Sequence, residues 1–196
     1  SESVDYDHLL GVTTAGLQIA PLEWSLYARR GMSAAYLGDP EAAIRDFRVS
    51  RFLQPYFVDS TYEEGSMWLE LDEPAYALEA WRETLQRAQD GGFEYLGAMF
   101  AAAASHPAIR NELRAWAIGD PVYHLAMMSV VSDDEFRMEL ELLMATDPDL
   151  TRLPSERRSL LFQLWAQKGD PEALAQILQA HPEWQGNQWR FLSQYY

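Results

Sequence analysis

The stretch "LGDPEAAIRDF", residues 37–47, sets a glycine and an acid–proline pair directly ahead of an apolar pattern, and "LDEPAYALEAW" at 71–81 repeats the arrangement. Proline in the first helical turn gives up no hydrogen bond, and Asp39 ahead of Pro40 can accept from the free amides there. Behind each proline, apolar residues fall at Ala43, Ile44, Phe47 and Val49, then at Ala77, Leu78, Trp81 and Leu85. Spacings of three and four make one helix face, so both segments are predicted helices. Pro74 follows Pro40 by 34 residues and Pro107 follows Pro74 by 33, a period that predicts a repeat. The segments ahead of the first two prolines, "EWSLYARRGMSAAYL" and "STYEEGSMWLEL", also read as helical. Each unit is therefore expected to be two antiparallel helices whose apolar face only a neighbour can cover.

These residues resemble the tetratricopeptide repeat, a 34-residue helix pair with set places for aromatic, glycine, alanine and proline residues. Tyr27, Gly31, Ala43, Phe47 and Pro55 match in the first unit, where Arg30 and Ala34 depart; Gly65, Trp68, Ala77 and Trp81 match in the second, where Thr61, Glu64 and Gln89 depart. The resemblance implies an all-α, antiparallel helix-pair solenoid, with Gly31 and Gly65 at close helix approaches. It also implies a ligand-facing groove on the first helix of each unit. Carried over by position, Ala28, Met32, Ala35 and Tyr36 face it from the first unit, and Asp59, Tyr62, Ser66, Leu69 and Glu70 from the second. The candidate docking residues are Met32, Tyr36, Asp59, Tyr62, Ser66 and Glu70, since aromatic rings offer rigid contact area and carboxylates pair with cations.

Outward from residues 24–91 the pattern loosens. Residues 1–23, with "GVTTAGLQIAP" rich in β-branched positions, are expected to form an irregular cap over the first helix pair. From 92 to 196 the array is expected to continue as degenerate helical repeats, regularity giving way to irregular spacing in the second half. There Arg110 and Arg114 stand in the places of the repeat's alanine and aromatic, and Gly119 and Gly169 lie 50 residues apart. Asp120–Pro121, a Ser132/Glu135 capping box and the "GDP" of 169–171 still mark helix starts. The apolar residues Trp184, Trp189, Phe191, Leu192, Tyr195 and Tyr196 read as a closing helix or as a face cut from a further repeat. With Ser1 as first residue, that ending suits a segment of a longer protein.

Residues 42–88 further resemble the helical-repeat tails of bacterial O-antigen polymerase or ligase type membrane proteins. That resemblance implies a periplasmic domain assisting surface-polysaccharide assembly.

The 30 acidic and 15 basic residues give a formal charge of −15, which repels phosphate backbones and disfavours nucleic-acid binding. The absence of cysteine excludes disulfides, thiolate metal sites and cysteine nucleophiles, and suits cytosol and periplasm alike. No stretch is apolar enough for membrane insertion. His8, His106, His124 and His181 are scattered without a metal-ligand spacing, so no metal and no cofactor is expected. "DPDLT" at 147–151 starts like a calcium loop but lacks its glycine and closing glutamate, and is expected to be a turn. Glu63/Glu64 and Asp133/Asp134 are abundant-acid pairs, expected to be solvated. The expected function is a non-enzymatic scaffold that binds a protein, peptide or glycan. An α-helical lyase or hydrolase acting on glycans through paired carboxylates is the alternative.

Overall fold

The computed structural model describes residues 4–88 and 91–184. Among them the chain is all-α, with eleven α-helices and no strand. Two compact units divide it between Tyr95 and Leu96, a few residues beyond the expected end of the regular repeats at 91.

Unit 1 holds α1 (Tyr6–Ile19), α2 (Trp24–Tyr36), α3 (Pro40–Leu53), α4 (Val58–Glu70), α5 (Pro74–Ala88) and the start of α6 (Gly92–Ala102). The Asp39 carboxylate caps α3 by accepting from the Ala42 amide at 3.0 Å. In the turn before it, Gly38 takes φ 83°, and the amides of Leu37, Gly38 and Asp39 bond back to the carbonyls of Ser33, Ala35 and Ala34. Thirty-four residues on, Leu71, Asp72 and Glu73 bond to Met67, Leu69 and Trp68 in the same pattern, with Asp72 at φ 59°. Each turn folds its helix pair into a hairpin closed by the Schellman motif, its paired 6→1 and 5→2 bonds formed around a left-handed residue.

Close approach within each hairpin depends on glycine. A methyl at Gly31 would sit 3.1 Å from the Ala43 carbonyl, and one at Gly65 only 2.3 Å from Trp81 Cδ1. Ala43, Ala77, Ala80 and Trp81 are fully buried, while Val49, counted above with the inward face of α3, is 37% exposed and Ser50 is buried in its stead. Polar ties cross the hairpins and join them. Arg30 grips Asp46 through two bonds of 2.6 and 2.7 Å, Thr84 donates to Thr61 at 3.0 Å, and Arg51 of α3 donates to Glu64 of α4 at 2.6 Å. Burial pushes the Glu64 carboxyl above its usual range, and the Arg51 guanidinium only partly offsets this.

The expected irregular cap at 1–23 is instead mostly helix, since α1 covers 14 of those residues. Asp5 caps it by accepting from the His8 amide, and the Thr13 and Thr14 hydroxyls fold back onto the Leu9 and Leu10 carbonyls. The inward face runs Tyr6, Leu9, Thr13, Gly16 and Leu17, so the helical period passes through a threonine and a glycine that an apolar count omits.

Unit 2 continues with the rest of α6, a 3-10 turn at Ala103–Ser105, α7 (Pro107–Ile118), α8 (Pro121–Val130), α9 (Asp133–Thr146), α10 (Ser155–Lys168), α11 (Pro171–Ala180) and a 3-10 turn at Pro182–Trp184. Its core centres on α8, whose residues His124 to Met128 are all buried. Lys168 of α10 closes the end of α8 by donating to the Ser129 and Val131 carbonyls. The capping box at Ser132 and Glu135 and the Asp120 and Asp170 caps form as expected. Between α9 and α10, the buried Asp147 carboxylate accepts from the Thr151 amide and hydroxyl and from the Arg152 amide, which makes "DPDLT" a self-capped turn. Trp184 is buried, with its ring 5.9 Å from that of Phe162. The expectation of a closing helix at Trp189–Tyr196 falls outside the described residues.

Candidate functional site

A groove of about 470 Å³ runs along α2 in unit 1. Helical spacing aligns Trp24, Ser25, Ala28, Arg29 and Met32 on one side of α2, and these form its floor. Tyr6 and Leu9 of α1 stand on one flank; Phe57, Ser60 and Glu63 around the start of α4 stand on the other. The Trp24 and Phe57 rings meet with centroids 4.9 Å apart, which makes an aromatic wall. Arg29 and Glu63 are exposed and make no side-chain hydrogen bond or ion pair among the described residues. The groove therefore offers apolar area, one free cation and one free carboxylate.

Of the six docking residues expected from the sequence, Met32 lines this groove. The other five are engaged with one another or with neighbouring helices. Tyr36 donates to Glu70 at 2.8 Å and stacks on Tyr6 with centroids 4.3 Å apart. Burial, then the Glu70 hydrogen bond, raises the Tyr36 phenol well above its usual value. Asp59 accepts a hydrogen bond from Tyr95 of α6, which, with burial, pushes that phenol up to about 12. The Tyr62 ring lies 5.6 Å from that of Tyr95, its carbonyl accepts from Trp81 Nε1 at 3.2 Å, and Ser66 donates to the same carbonyl at 3.0 Å. Asp59, Tyr62, Ser66 and Glu70 do share one side of α4, but two of them are already spent on tyrosines. What the sequence missed is Trp24, Arg29, Phe57 and the α1 flank. The repeat pattern's places for Ala28 and Met32 point to this side of α2, while reading residues 1–23 as irregular hides Tyr6 and Leu9.

The acidic pairs divide. Glu64 is buried against Arg51 while Glu63 faces the groove; Asp134 pairs with exposed Arg137 at 2.8 Å. His124, scattered in the sequence, is 2% exposed in unit 2, with Nε2 2.9 Å from Glu139 Oε2. Among the described residues no group of three histidine or carboxylate side chains is placed to hold a metal ion. No described helix is long and apolar enough to cross a membrane. Comparison with protein-family models, with curated proteins and with solved structures finds no match for this chain.

Proposed function

We propose that unit 1 is a non-enzymatic docking module of tetratricopeptide-like helix pairs, and that its ligand is a peptide segment held along α2. The observation that carries this reading is the groove itself. Its floor includes Ala28 and Met32, which lie on the ligand-facing side in the repeat pattern, and its aromatic wall stands beside free charges of both signs. Rigid aromatic area with a few unsatisfied polar groups is what peptide recognition uses. A peptide carries carboxylate, cation and apolar side chains together, which suits Arg29, Glu63 and the Trp24–Phe57 wall. The resemblance of 42–88 to O-antigen polymerase or ligase tails adds the proposal that the partner belongs to envelope polysaccharide assembly.

A photo-crosslinking residue placed at Ala28, on the groove floor, tests both parts. It should capture a discrete partner that is lost with Met32→Glu, while the same residue at Phe52, 83% exposed and outside the groove, should capture none of it. Equal capture from both positions would overturn the groove reading. A partner recovered only from cytosolic fractions would overturn the envelope context and leave docking intact.

A further inference from the structure

A second pocket, of about 350 Å³, opens in unit 2 among the end of α6, α7, α8 and α9. Its hydrogen-bonding groups are unbalanced. All four oxygens of its two carboxylates are engaged: Glu135 accepts from Arg110 Nη2 on one oxygen and from the Ser132 amide and hydroxyl on the other, and Glu139 accepts from Arg114 Nε and pairs with His124 Nε2. Both carboxyls are held below their usual range. At Glu135 the Ser132 amide is the main cause; at Glu139 burial acts upward but the His124 and Arg114 hydrogen bonds outweigh it. The donors are not used up. Arg110 Nε is buried without an acceptor, Arg114 spends only its Nε, and the exposed Asn111 side chain makes no hydrogen bond among the described residues. The remaining walls are apolar, formed by Phe100, Met127, Val131 and Met138.

We propose that this pocket binds a small amphipathic carboxylate, its head on Arg114 and Asn111 and its hydrocarbon part on Met127, Val131 and Met138. The carboxylates that would attract a cation are already paired with guanidinium, serine or histidine, and a purely apolar molecule would leave the open Arg114 and Asn111 donors unused. A carboxylate answers them, because guanidinium and carboxylate form short charge-assisted bonds. The buried His124 holds Glu139, and Glu139 holds Arg114 Nε at 2.6 Å, so the head-binding guanidinium is set in place before a ligand arrives. The Arg110 guanidinium lies 4.8 Å over the Phe100 ring and closes the pocket on that side.

The test is a titration of the whole chain, carrying ¹³C-labelled methionine methyls, with octanoate. Octanoate should move the Met127 and Met138 signals saturably, and uncharged octanol should do so at least roughly tenfold more weakly, the scale of one charge-assisted contact. Asn111→Ala removes only an exposed amide and leaves the fold intact, and Arg114→Lys keeps the charge but not the fork; each should weaken octanoate about tenfold. The other methionine signals report whether a variant is folded. The proposal is overturned if octanol matches octanoate, if Asn111→Ala and Arg114→Lys both bind like the native chain, or if neither methyl moves at millimolar octanoate. Inorganic phosphate moving the same signals at equal concentration would overturn the apolar half of the assignment.

Discussion

Gly65 shows how little room single atoms leave in unit 1. A methyl there would meet Trp81 Cδ1 at 2.3 Å and Nε1 at 2.5 Å, and Trp81 is fully buried with its Nε1 tied to the Tyr62 carbonyl. Gly65→Ala gains about 1 kcal/mol of helix propensity but must displace a ring that has nowhere to go, so it should lower stability by a net ~1–3 kcal/mol in urea unfolding. Trp81→Ala should cost more, about 3–5 kcal/mol, by opening a cavity in the core of the hairpin. Ser50 runs the other way. Its hydroxyl is buried without a partner among the described residues, so Ser50→Ala should stabilise by ~1 kcal/mol, read as a higher urea midpoint at unchanged slope.

Between α3 and α4, a buried ion pair lies beside the apolar contact of Phe47 with Trp68. Arg51 of α3 is what makes the buried Glu64 of α4 tolerable, so Arg51→Ala should cost about 3–5 kcal/mol near neutral pH by stranding a charge. Because burial holds the folded Glu64 pKa above the ordinary 4.5, its penalty is felt above that value and fades as the carboxyl protonates. The Arg51→Ala deficit should therefore shrink when unfolding is repeated at about pH 4. A deficit independent of pH would show that Arg51 acts through packing alone. Helix starts and the two hairpins were legible because Asp39, Pro40, Pro74, Asp120 and the Ser132/Glu135 box act locally on the chain. The fate of surface-type residues was not legible. Whether Tyr36 meets a ligand or Glu70, and whether His124 is loose or locked to Glu139, depends on which helix lies opposite. For α1, Thr13 and Gly16 stood where an apolar count expected larger side chains, so a helix face was passed over.

Across the whole chain, acid should act with opposite sign on the two units. In unit 2, Glu135 and Glu139 have folded pKa values below the ordinary 4.5, so they stabilise the fold above that value and lose this contribution as pH falls through their folded values. In unit 1, Glu64 relaxes over the window just above 4.5. Stability measured from about pH 5 downward should accordingly fall less steeply in Glu139→Gln than in the native chain, although the variant begins lower at neutral pH. Parallel curves would mean that Glu139 carries none of the acid sensitivity. The net charge of −15 diminishes over the same range, and its relief acts alike on native and variant protein, which is why the comparison isolates one carboxyl.

The two turns at 37–39 and 71–73 are closed by main-chain amides and carbonyls, and one reaches its left-handed residue with glycine and the other with aspartate. Ancestry is preserved where mutation has least to act upon. Side chains can drift apart while a backbone pattern persists, so if the pair arose by duplication, these turns are where descent would stay readable longest. A third inherited copy elsewhere would be sought by its turn before its aromatic residues.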